Sequence, residues 1–145
     1  MAPVDSAFVE RTVARCASKR REIVAAYLFG STASGRTRRD SDVDIAVLLA
    51  RPPRSNRSLT YRLKLMADLG SALRRSDVEV VILNDASPLL AHRILSKGKL
   101  VFDRSPSARI RFQVRTASLY ADLIPMFETH IRYLKRHARE DRIVG

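Results

Sequence analysis

A single cysteine, Cys16, leaves this chain unable to form an intrachain disulfide or a thiolate cluster for zinc or iron–sulfur chemistry. Its surroundings read as those of a small hydrophobe on a helix face. Acidic residues are scarce: 15 Asp and Glu stand against 27 Lys and Arg, a formal charge of +12. Such a surface attracts polyanions, whether nucleic acid, nucleotide phosphates or an acidic protein, although an Arg-rich proteome gives the same excess for no local reason. No run approaches the ~20 apolar residues of a bilayer span, and residues 1–5 lack a basic segment leading into an apolar one, so a cytoplasmic location and no membrane partner are expected. Neither a GxGxxG fingerprint nor a P-loop occurs, which disfavours a dinucleotide fold and a P-loop ATPase. His92, His130 and His137 fall in predicted helices outside any nucleophile elbow, so a Ser-His-Asp hydrolase has no support and the three read as surface or packing residues. Repeats, low-complexity tracts and heptads are absent, and no helix-turn-helix signal accompanies the dispersed basic residues.

What is present is 145 residues, 46% hydrophobic and 29% charged, the balance of a folded chain long enough to bury its own core. The spacing predicts a helix over residues 5–22. A seven-residue apolar strand over 23–29 follows, stopped by Gly30. A polar, basic stretch leads to a second strand, Val43 to Leu49. Pro52-Pro53 ends it, and Ser58 is expected to cap a helix whose apolar stripe is Leu59, Leu63, Met66, Leu69 and Leu73. Val78, Val80, Val81 and Ile82 give a third strand, broken at Asn84-Asp85. Ser87-Pro88 opens a short helix ending near Gly98, and Lys99 to Phe102 suits an edge strand. After a second cap signal at Ser105-Pro106, apolar residues keep helical spacing to Leu134, with Pro125 expected to kink or divide the element. The alternation gives an α/β fold, a small mixed sheet flanked by helices. Residues 1–104 form its core and 105–145 a helical extension, with more apolar positions than one small sheet needs. Part of that extension is therefore expected to meet another chain, in a homo- or hetero-oligomer.

The chemistry concentrates at strand ends. Gly30-Ser31 is followed, after ten residues, by Asp42-Val43-Asp44. Period-two geometry puts both carboxylates on one face of the strand. Two aspartates pointing together repel, and a divalent cation answers that repulsion more fully than mobile arginines such as Arg38 or Arg39. Oxygen-only ligands suit magnesium, which keeps several waters and bridges carboxylates to phosphates. The bland alternative is a solvated loop end. Asp40 shares their phase, and its place in a basic turn reads as capping or balancing Arg38 and Arg39. Asp77 and Glu79 form a second pair on the third strand, where an acid among valines needs a reason. If that strand lies beside Asp44, Glu79 completes a three-carboxylate cluster that can orient a metal or take a proton from an attacking hydroxyl. Otherwise it is a residue on a half-exposed face, or an arginine partner. Gly30 permits close approach of backbone to a triphosphate, and Ser31 can donate to phosphate oxygens.

These residues resemble the minimal nucleotidyltransferase (MNT) family of the DNA polymerase β-like superfamily, and within it the antitoxin of HEPN–MNT pairs. Gly30-Ser31 with Asp42 and Asp44 matches its GS-x10-DxD motif. The likeness continues through Asp77 to Leu83, Ala86 to Leu90 and Arg93 to Gly98, covering roughly residues 10–104. The resemblance implies a polymerase-β-like fold in which Gly30 and Ser31 hold the phosphates of ATP, Asp42 and Asp44 bind Mg2+, and Glu79 completes the cluster. Family members usually carry Asp at that last position, and the extra methylene of Glu79 displaces its oxygens on a scale where misplacement slows chemistry by ~10²-fold. The implied activity is Mg-dependent transfer of AMP from ATP to a tyrosine hydroxyl of a HEPN ribonuclease toxin. The alternatives are neutralisation by complex formation without catalysis, and nucleotidyl transfer to RNA or a small hydroxylated molecule, towards which the charge points weakly.

Overall fold

The computed structural model describes residues 5–30 and 42–144. Helix α1 (Ser6–Ser18) opens where the Asp5 carboxylate accepts from the Ala7 amide at 3.1 Å. It ends four residues before the predicted boundary because the basic run that follows turns the chain into β1 (Ile23–Phe29). Then come β2 (Val43–Leu49), α2 (Ser58–Leu73), β3 (Val78–Ile82), a 3-10 turn over Leu83–Asp85, α3 (Pro88–Lys97), β4 (Lys99–Asp103) and α4 (Pro106–Val144).

The strands make one sheet in the order β3-β2-β1-β4, with β1 antiparallel to both β2 and β4, and β2 parallel to β3. The parallel pair needs a crossover, and α2 supplies it. Alternation sorts the strand residues onto two faces. Ala26, Leu28, Ile45, Val47, Val80 and Ile82 pack with Val9, Val13 and Ala17 of α1 and Leu65, Leu69 and Leu73 of α2. Ala25, Tyr27, Ala46 and Leu48 pack with Ala91 and Ile94 of α3, and Ala108 and Phe112 of α4 lie against them. Both central strands are thus covered on two sides, which is why β1 and β2 read as continuous apolar runs. Cys16 sits half-buried beside the first of these clusters, as its neighbours suggested.

Several local expectations change. Ser58 does not cap α2: the N-cap position is Arg57, and the Ser58 hydroxyl donates instead to Asp85. The buried stripe of α2 is Leu65, Leu69 and Leu73, with Tyr61 packed against the same core, while Leu59 and Leu63 face outward, because the i, i+4 row through Leu65 rather than the row through Leu59 and Leu63 is turned to the sheet. Pro125 does not divide α4, which runs as one 39-residue helix with Pro125 inside it. Proline removes the hydrogen bond to the Ala121 carbonyl, but this stretch is exposed and water can serve that oxygen. Ser87 accepts from the Leu90 amide at 3.2 Å with Pro88 following, the cap geometry that the dipeptide signals.

Two side chains tie the scaffold around the strands. Asn84 donates to the Leu49 carbonyl and accepts from the Leu49 amide, both at 2.9 Å, sealing the end of β2. Arg104 donates to the carbonyls of Ile23 (2.9 Å), Ala17 (3.3 Å), Ser18 (2.9 Å) and Arg20 (3.3 Å), neutralising the C-terminal end of α1 and pinning it to β4.

Candidate active site

The register of the sheet decides which acids meet. Asp44 pairs with Glu79 across β2 and β3 and with Phe29 across β1 and β2. Directly opposed residues share a sheet face, so the two carboxylates project together, on the side that α3 covers further along the strand. Asp42 flanks β2 two residues earlier and is exposed; next to it the Val43 amide donates to the Asp77 carbonyl at 3.0 Å, locking the start of β2 to β3. Ser31, Arg38, Arg39 and Asp40 lie outside the described residues.

Electrostatics bears out the crowding. Burial pushes the Asp44 carboxyl above its ordinary value, and the charges of Asp42 and Glu79 push it further. Among the described residues, burial and the two neighbouring carboxylates act on Asp44 in the same direction, as expected where like charges converge. Among the described residues no three His, Cys, Asp or Glu side chains come together as a group that could hold a metal ion, so the expected three-carboxylate cluster is not assembled: the sheet register sets Asp44 beside Glu79, while Asp42 lies before the strand. The pair that does share a face, Asp44 and Glu79, suits a hydrated magnesium ion, which typically takes one or two carboxylates and completes its shell with water and phosphate oxygens. By contrast Asp77 is not part of this negative cluster. The Arg75 guanidinium donates to it twice, Nε at 2.7 Å and Nη2 at 2.5 Å, and holds its carboxyl below the usual range. Arg75 also feels the charge of Asp42.

Gly30 closes the site on the β1 side. Its φ is +68°, and a Cβ built there would stand 2.5 Å from Oδ2 of Asp44. Backbone conformation and space therefore both require glycine, and the result is bare backbone against the carboxylate. Beside them lies a cavity of about 470 Å3 lined by Phe29, Gly30, Asp44, Leu90, Arg93, Ile94 and Lys97, within the size range of small-ligand sites. Sequence reasoning gave no role to Arg75, Arg93 or Lys97; the four-residue spacing of the last two on a predicted helix was the available signal.

A mixed α/β sheet that sets adjoining carboxylates and a glycine turn against a cation-lined cavity defines a nucleotidyltransferase scaffold of the polymerase-β type. The chain belongs to the polymerase beta nucleotidyltransferase family, whose pattern it matches over residues 11–107. It is similar to the protein adenylyltransferase MntA of Shewanella oneidensis, 38% identical over 97 residues; the match spans 67% of this chain and 66% of that protein, just under two thirds. Its fold also matches a chain of a toxin–antitoxin crystal structure with AMP-PNP, 29% identical, covering 94% of this chain and 98% of the other, with a TM-score of 0.68. A structure of tri-AMPylated Shewanella oneidensis HEPN toxin in complex with MNT antitoxin matches at 27% identity, covering 97% and 100%, with a TM-score of 0.65.

Proposed function

We propose that this chain is an antitoxin that neutralises a HEPN-domain ribonuclease by transferring AMP from ATP to a tyrosine hydroxyl of that partner. The observation that carries the reading is the pairing of Asp44 with Glu79 against the bare backbone of Gly30. Similarity to a protein adenylyltransferase, and to toxin–antitoxin structures with a nucleotide analogue or an AMPylated toxin, supports the choice of donor and acceptor.

In this reading Gly30 and Ser31 hold the phosphates, and Asp42, Asp44 and Glu79 would hold Mg2+. The oxygen-only donors and the meeting of Asp44 with Glu79 on one sheet face fit such an ion. When bound, the ion would supply Lewis-acid polarisation of the phosphate oxygens and positive charge beside the carboxylates. Glu79, exposed at the edge strand, accepts the proton of the incoming hydroxyl. The bond from the acceptor oxygen to the α-phosphorus forms, the bond from that phosphorus to the oxygen bridging to the β-phosphate breaks, and pyrophosphate leaves. Residues 105–145 form the extension that meets the partner. No helix among the described residues is long and apolar enough to cross a membrane, and α4 leaves Met126, Phe127, Ile131 and Leu134 exposed for contact with another chain.

Incubating the protein with ATP, Mg2+ and the HEPN partner should add the mass of AMP to a tyrosine of the partner, and Asp42→Asn/Asp44→Asn should abolish the addition. An intact, folded pair that gains no mass refutes the enzymatic reading. Glu79 in place of the family's usual Asp favours a second reading, neutralisation by complex formation alone. That reading requires ribonuclease inhibition to persist without ATP and in the double variant.

A further inference from the structure

We propose that Arg93 and Lys97 form the anion-binding wall of the cavity beside Gly30 and Asp44 and grip the β- and γ-phosphates of the nucleotide, making the site selective for a triphosphate. The inference rests on the nucleotidyl-transfer reading and deepens it: the group these cations hold is the one that departs as pyrophosphate. Four residues apart on α3, the two side chains leave the same helix face, separated along the axis by about 6 Å, a span comparable to a polyphosphate chain. Both line the cavity that contains Gly30 and Asp44.

Their charge is available to a ligand. Both residues are exposed, and among the described residues neither side chain enters an ion pair or a hydrogen bond. Nor do they neutralise the acids: no ion pair among the described residues joins Arg93 or Lys97 to Asp44 or Glu79. Positive charge thus stands across the cavity from negative charge, separated rather than paired. A phosphate chain carrying a divalent cation would complement both walls at once. The guanidinium of Arg93 suits bidentate contact with phosphate oxygens, while Lys97 acts as a point charge in the last turn of α3. Leu90 and Ile94, on the same helix, supply the apolar part of the lining and keep bulk water from the base of the site.

The test is binding of ATP, ADP and AMP in the presence of Mg2+ by titration calorimetry, with inorganic pyrophosphate as competitor. Arg93→Gln or Lys97→Gln should each weaken ATP about tenfold, and the double variant more than either, without the two losses having to add because both side chains share one ligand, while AMP stays within about twofold. Arg93→Lys, which keeps the charge and loses the fork, should fall between wild type and Arg93→Gln. Pyrophosphate should compete with ATP on the wild type and lose that ability in the double variant. Equal weakening of ATP and AMP, or ATP binding unchanged in the double variant, overturns the proposal. The two readings fail separately. Wild-type protein that shows this triphosphate selectivity but never labels the partner sinks nucleotidyl transfer alone. A double variant that labels the partner with unaltered KM for ATP sinks the phosphate wall alone. Should the double variant unfold, the two single variants and Arg93→Lys carry the same comparison.

Discussion

Replacing Gly30 by alanine tests whether the site depends on one close approach. At φ +68° a Cβ costs about 1–2 kcal/mol of backbone strain, partly offset by about 0.4–1 kcal/mol from the stiffer unfolded chain. The new methyl would also stand 2.5 Å from Oδ2 of Asp44, so that carboxylate must swing away by about 1 Å, at a further ~1 kcal/mol for an off-rotamer side chain. The sum is about 2 kcal/mol, or a fall in Tm of about 4–8 °C. Transfer activity should fall far more, by ~10²-fold, because the displaced carboxylate is the one proposed to hold the metal. Thermal unfolding read by circular dichroism, beside mass-spectrometric labelling of the partner, measures both. The decisive comparison is a cycle with Asp44→Ala. Without the carboxylate, the stability cost of Gly30→Ala should shrink to the backbone share, leaving a coupling of about 1 kcal/mol. Equal costs in the two backgrounds, or a Gly30→Ala protein with unaltered Tm and activity, would refute the reasoning.

Asp44→Asn should raise Tm at neutral pH while abolishing transfer, because the native state ionises Asp44 against burial and two like charges. The raised native value means that wild-type stability from this group is full below the ordinary Asp range and is lost as pH rises through the raised one; the gain in Asp44→Asn should therefore vanish in acid, and a gain that persists there contradicts the assignment. Arg104→Met should lose about 2–3 kcal/mol in urea unfolding, since it strips a charged donor from four carbonyls at the junction of α1 and β1. Asn84→Leu should cost about 1–3 kcal/mol by leaving both polar groups of Leu49 without partners, and hydrogen exchange should show faster exchange of the Leu49 amide.

The acids were legible in the sequence for a simple reason: strand geometry has a period of two, so Asp42 and Asp44 had to share a face, and the apolar runs around Glu79 placed it on a strand. That Glu79 would meet Asp44, rather than lie two strands away, was carried by strand order and register, which no local pattern encodes; the parallel pairing of β2 with β3 supplies it. Caps at Ser87 and Ser105 were visible because their chemistry is local. The outward turn of Leu59 and Leu63 was not, since two apolar rows four residues apart run along this helix and spacing alone does not say which one the sheet takes. Arg93 and Lys97 escaped for the opposite reason: on a basic chain, cations on a helix look like ordinary solvated residues until the cavity beneath them is known.

The 39 residues of α4 have a hydrodynamic consequence. At 1.5 Å per residue the rod measures about 58 Å, longer than the diameter of about 38 Å that a compact sphere with the radius of gyration of this chain length, about 15 Å, would have. Friction on the protruding rod slows diffusion, so a solitary molecule should leave a gel-filtration column ahead of globular standards of equal mass. Light scattering, which weighs particles instead of timing them, is the measure by which this elongated monomer is told from a dimer.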